Sequence, residues 1–198
     1  MRWAAVTTSV ALAITITGAA GMLAQAVAQA APPSSVTFDT QSKVWVEGTS
    51  TVRAYKCAAR SIVATLQTAP EGQPADLAQL VRSALVTVAT ESLDCSNGTM
   101  NEHMRKALKQ TEHPNVSFTL DSYTLDPSGL LKGKLQIAGQ EKEVQFPATV
   151  TDDGSTIRVA GSKQINMKEW GVKPPSLMLG TMKVNEMVTI NFDVLVKR

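Results

Sequence analysis

The sequence predicts an all-β protein built as one long antiparallel meander. Three observations carry this reading: apolar residues recur with period two over most of the chain, the links between such runs are short, and turn residues stand where the runs stop. The C-terminal run is the clearest, with Val188, Ile190, Phe192, Val194 and Val196 alternating with Thr189, Asn191, Asp193, Leu195 and Lys197.

Taken in order, the chain opens with a different kind of segment. Met1–Trp3 carries one positive charge, an Ala- and Thr-rich apolar run follows to Ala20, and small-x-small sites such as Ala28-Gln29-Ala30 come next. This is the layout of a secretory signal peptide, predicting an address over 1–30, cleaved near Ala30, and one domain over 31–198. Five hydroxyl residues (Thr7, Thr8, Ser9, Thr15 and Thr17) dilute the run, which argues against a stable membrane anchor. Ala31-Pro32-Pro33-Ser34-Ser35 reads as a flexible mature terminus. The expected location is the periplasm, or outside the cell.

Lys43–Glu47, Thr49–Cys57 and Ser61–Thr68 read as strands, with a bend or bulge at Gly48. Asp76 is placed to cap a short helix with Leu77, Leu80, Val81 and Ala84 on one face, while Ala84–Leu93 also reads as a strand. Thr99-Met100-Asn101-Glu102 reads as a capping box, with Thr99 as cap. The helix it opens carries Met100, His103, Met104, Ala107 and Leu108 on one face and must end before Pro114. Further strands follow through Val116, Phe118 and Leu120, then Leu131 to Ile137, Val144 to Val150, and Thr156–Ile165. Gly139-Gln140 and Asp152-Asp153-Gly154 supply the turns between them. The count is about eight or nine strands. Such a meander hides its apolar face either by pairing two sheets or by closing on itself.

Composition narrows the function. Of 198 residues 43% are hydrophobic, 5% aromatic and 18% charged, with a net charge of +2, so the basic excess that nucleic acid requires is missing. Cys57 and Cys95 are too few for a four-cysteine zinc site; in an exported chain they form a disulfide, or else stay as two buried thiols. The two histidines, His103 and His113, have no third ligand at metal spacing, and no nucleophile elbow, zinc-protease motif or phosphate loop is present. Neither a catalytic residue, a metal nor a cofactor is predicted. Few aromatics in a barrel of aliphatic residues leave room for an elongated apolar guest. Trp170–Met187, with Leu177, Met178 and Met182 after Pro174-Pro175, reads as an apolar loop that is either a flap over a ligand or a plug at one end.

Several motifs then fall into one pattern. Asn101-Glu102-His103-Met104-Arg105, His113-Pro114-Asn115-Val116-Ser117-Phe118, Gly133–Gly139 followed by Val144, the run from Ile165-Asn166 to Trp170-Gly171, and the strand Val188–Val196 stand in fixed order. Together they resemble the YceI-like family of lipid- or polyisoprenoid-binding proteins. The resemblance implies a lipocalin-like antiparallel β-barrel of about eight strands, with two short helices, around an apolar tunnel. That tunnel would hold an isoprenoid or other long-chain lipid of the quinone or polyprenyl phosphate type. Two departures stand out: many members carry a histidine near Trp45-Val46-Glu47-Gly48-Thr49-Ser50, and the cysteine pair is not general in the family.

Alternation assigns Phe118, Leu135, Ile137, Phe146, Ile190, Phe192 and Val194 to the tunnel lining. His103, Trp170, Leu177, Met178 and Met182 are expected at the mouth or flap. The competing expectation is a structural or protein-interaction module with a filled core, whose Met-rich loop binds a partner.

Overall fold

The computed structural model describes residues 34–36, 39–68, 81–124, 129–177 and 181–197, all within the compact unit Ala31–Arg198. The expected leader, residues 77 and 80 of the helix predicted from Asp76, and Met178 lie outside the described residues.

Among the described residues nine long strands and three very short ones form the sheet. The long ones are β2 (Lys43–Ser50), β3 (Ala54–Ala59), β4 (Val63–Thr68), β5 (Val81–Ala89), β7 (Asn115–Thr124), β8 (Gly129–Ile137), β9 (Gln140–Asp152), β10 (Thr156–Asn166) and β12 (Met182–Lys197). The short ones are β1 (Ser34–Val36), β6 (Leu93–Asp94) and β11 (Ser176–Leu177). Among the described residues one helix, α1, spans Gly98–Ala107. All pairings are antiparallel, and hydrogen-bonded neighbours run β1-β4-β5-β7-β8-β9-β10-β12-β2-β3-β6, with β11 paired to β12.

Connectivity forces this sheet to curl. β3 and β4 stand at opposite ends of the long path, yet only Arg60, Ser61 and Ile62 separate them in the chain. Three residues span ~10 Å, whereas the flat path between those strands crosses eight spacings of ~4.8 Å. The sheet therefore rolls into a barrel whose seam is joined by chain, not by a ladder between β3 and β4 among the described residues. The seam is tied by Arg60 N donating to Ser92 O (3.0 Å), Ser92 Oγ donating to Ser61 O (3.3 Å), and the Cys57–Cys95 disulfide.

Several local expectations are corrected. β2 runs through Gly48 to Ser50, and the chain reverses at Thr51–Arg53, where Ser50 Oγ accepts from Arg53 N at 3.1 Å. Val81 and Ala84 belong to β5, because Ala84 is paired with Leu66 on one side and Leu120 on the other; two ladders outweigh a weak helical spacing. The run to Leu93 breaks into β5, a 3₁₀ turn at Thr90–Ser92, and β6. Asn97, not Thr99, caps α1: its side chain accepts from Met100 N at 2.9 Å, two residues earlier than the capping box predicted. The β8–β9 turn is Ala138-Gly139, both at positive φ (49° and 81°), with Ile137 paired to Gln140. That is the primed geometry a two-residue hairpin needs. Ser34–Val36 is not free chain but pairs with Ala64–Leu66. Met182–Met187 belongs to β12, not to a loop.

The main core packs Leu135, Ile137, Ala138, Val144, Phe146, Ile165, Trp170, Val172 and Val188, with Ala107 and Leu108 at the end of α1 laid against it. A second cluster, Leu66, Ala84 and Leu120, shares Phe118 and Leu131 with the first.

Candidate functional site

The concave face is defined by ladder partners. One row across the sheet reads Lys163 (β10), Ile190 (β12), Val46 (β2) and Cys57 (β3); the next reads Ile165, Val188, Gly48 and Tyr55. On the other side of Lys163 the rows continue through Gly161, Phe192 and Val44. Directly opposed residues share a face of the sheet, so these side chains all turn inward with the core.

Three phenylalanines knit the middle of this face. Phe118 on β7 and Phe146 on β9 meet edge to face at 5.4 Å between centroids, and Phe146 meets Phe192 of β12 the same way at 5.7 Å. Phe146 is 4% exposed, whereas Phe118 and Phe192 are only half-buried. Gly161 makes the second contact possible, since a Cβ there would come within 2.6 Å of the Phe192 ring. Gly48 plays the same part on β2, where a Cβ would overlap the Tyr55 ring lying across it.

Exposure along the inward row of β12 shows where the interior is filled. Val188 is buried at 6%, but Ile190, Phe192, Val194 and Val196 all keep partial exposure despite facing inward. β10 runs in step over its middle, with Ile165 buried and Lys163, Gly161 and Val159 partly exposed, until Ile157 is buried again at 8% opposite Val196, which packs against the second cluster. The end near Val188 is closed by Trp170, 2% exposed, whose Nε1 donates to Leu135 O at 3.0 Å. Trp170 thus belongs to the packed core and not to a mouth loop; the left-handed Gly171 (φ 67°) turns the chain directly after it.

The lining residues are brought together in part. Leu135, Ile137 and Phe146 are packed in the main core, Phe118, Ile190 and Phe192 lie against it, and Val194 continues the β12 row. Leu177 pairs with Met182 at the start of β12, and this small hairpin is pinned where Thr51 Oγ1 accepts from Lys183 N at 3.2 Å. His103 sits half-buried on α1, outside both core clusters. Cys57 and Cys95 are disulfide-bonded and buried at 4% and 8%. Beside them Asp94 accepts from Asn101 Nδ2 and Arg60 Nη2, and these bonds hold its carboxyl below the usual range.

Two polar residues at inward parity stand outside the predicted site. Lys163 lies in the parity of Ile157, Val159, Gly161 and Ile165, a signal that alternation offered but that its charge concealed. Tyr55 faces in across Gly48, and burial pushes its phenol above the ordinary value, so it stays a protonated donor. Among the described residues no group of three or more metal-ligating side chains occurs, and no helix is long and apolar enough to cross a membrane.

A curled antiparallel sheet with an apolar, partly exposed concave face defines an antiparallel β-barrel architecture. The sequence matches the YceI-like domain over residues 32–196, and the chain belongs to that family. Solved structures agree on the fold. Burkholderia cenocepacia BcnA superimposes with a TM-score of 0.67 at 22% identity, covering 80% of this chain and 98% of that one. A polyisoprenoid binding domain from Saccharophagus degradans, implicated in plant cell wall breakdown, gives 0.62 at 12% identity over 82% and 97%. A Campylobacter jejuni YCEI protein gives 0.56 at 18% identity over 72% and 84%. No curated protein matches the sequence.

Proposed function

We propose that this protein is an exported, non-catalytic carrier that holds a long apolar chain, a polyisoprenoid or similar lipid, along the concave face of its barrel. The observation that carries the reading is the inward β12 row from Ile190 to Val196, apolar yet partly exposed, beside a fully packed end at Trp170. An apolar surface left open inside a barrel is a place for a guest. At ~0.8 kcal/mol per buried carbon, each isoprenyl unit supplies about 4 kcal/mol gross, so a few units outweigh the cost of immobilising the chain. Membership of the YceI-like family, and the neighbour whose structure is of a polyisoprenoid binding domain, support the same ligand class. The Ala-rich leader supports export, as does the cysteine pair, which persists as a disulfide in oxidising compartments.

Organic extraction of protein purified from its native compartment, followed by mass spectrometry, tests the reading. A stoichiometric long-chain lipid is expected. Protein that carries none, and whose melting does not change when polyprenols or quinones are added, would instead favour the filled-core interaction module.

A further inference from the structure

Lys163 is out of place on any account that treats the concave face as apolar throughout. It is opposed by Ile190, flanked along its strand by Gly161 and Ile165, and half-buried. Across the row its neighbours are Ile190 and Val46, and one row away lie Phe192 and Val188. Among the described residues its side chain has no ion pair or hydrogen bond, whereas those of Lys56, Lys134 and Lys168 are each paired with a glutamate. Of the other charged residues at inward parity, Lys142 and Asp152 stand exposed near the two ends of β9, and Glu186 on β12 is paired with Lys168. The stem of such a lysine lies along the apolar row while its ammonium reaches the margin, where a bound anionic group would complement it.

The surroundings show how such a group would sit. The β9–β10 ladder ends at Ala148 and Gly161, so Lys163 stands just past the last pair, where the two strands are no longer hydrogen-bonded. Polar atoms of a ligand at this margin would stay near solvent. The partly exposed row beside it, Ile190, Phe192 and Val194, leads away along the interior and is apolar throughout. Tyr55, on β3 three strand spacings of ~4.8 Å from β10, lays its ring and hydroxyl over Gly48 on the neighbouring row, two spacings from Lys163.

We infer that Lys163 receives the anionic head group of the bound lipid, a phosphate or carboxylate, while the tail runs along the β12 row, so that the protein selects acidic long-chain lipids over neutral ones of the same tail. This rests on the carrier reading proposed above and narrows it to a ligand charge class.

The test compares one tail with two heads: geranylgeranyl monophosphate and geranylgeraniol, titrated into delipidated protein, with inorganic phosphate as the head lacking a tail. A charge-assisted hydrogen bond in a half-buried site predicts that the phosphate ester binds tighter than the alcohol by at least about tenfold. In Lys163→Met this ratio should fall to about one; in Lys163→Arg, which keeps the charge, it should persist. Inorganic phosphate should not displace the ester at comparable concentration; if it does, the lipid assignment of the anion is overturned. A wild-type ratio near one, or a ratio unchanged in Lys163→Met, overturns the inference while leaving the carrier intact. Failure of both prenyl probes to bind the wild type sinks the carrier reading, and this inference with it.

Discussion

Replacing Phe146 and Phe192 in turn by alanine separates the wall of the barrel from its lining. Phe146 is 4% exposed and holds edge-to-face contacts on both sides, with Phe118 and Phe192. Its removal leaves a cavity that β8 and β9 cannot collapse into, because their ladder is continuous from Gly129 to Ile137. The expected cost is about 3–5 kcal/mol, a large part of the total stability of a domain this size. Phe192 loses the same atoms but starts half-buried, so in delipidated protein Phe192→Ala should cost roughly half as much. With geranylgeraniol present the order should tighten, because a guest lying on the β12 row covers Phe192 and adds a linkage term that the variant gives up. The assay is urea unfolding of wild type and both variants, delipidated and with saturating geranylgeraniol. A Phe146→Ala cost below about 1.5 kcal/mol would show that the ring is not packed as described. Equal costs for the two variants, unchanged by geranylgeraniol, would refute the distinction between wall and lining.

Reduction of Cys57–Cys95, or Cys57→Ala with Cys95→Ala, removes a 38-residue closure and should lower stability by about 4 kcal/mol, or roughly 10 °C in Tm; calorimetry with and without reductant reads this. Asn97→Ala should cost about 1 kcal/mol through the lost cap of α1, and Thr99→Ala clearly less; the reverse order in urea unfolding would restore the capping box. Arg158 hydrogen-bonds Asp193 through Nε at 2.7 Å and Nη2 at 2.5 Å, holding that carboxyl below the usual range. A folded-state pKa that is depressed gives stability present above the unfolded value, ~3.9, and lost as pH falls through the folded one. Asp193→Asn should therefore be less stable than wild type at pH 7, with the gap closing towards pH 2; a gap independent of pH would contradict the pairing.

Most of the barrel was legible because its code is local. Each long strand repeats every two residues, and Val116 to Leu120, Leu131 to Ile137 and Val188 to Val196 turn their apolar sides inward as alternation requires. The strands that escaped, β1, β6 and β11, are two or three residues long and exist only because a neighbour offers an open edge. The Val81–Ala84 segment misled for a related reason, since apolar residues three apart fit a helix locally and only the ladders to β4 and β7 decide otherwise. Trp170 was placed at a mouth because the proline-rich run after it reads as loop, whereas its indole reaches a carbonyl on β8, a contact across 35 residues. Lys163 is not legible from alternation, because the period-two signal is carried by apolar residues and a lysine within an inward row interrupts it.

That the concave face holds an apolar chain is decided by calorimetric titration of delipidated protein with geranylgeraniol and with geranylgeranyl monophosphate. Saturable binding at one molecule per chain is predicted, with a negative heat-capacity change, since that is the mark of apolar burial. Absence of saturable binding by both, or binding whose heat capacity does not change, would contradict it.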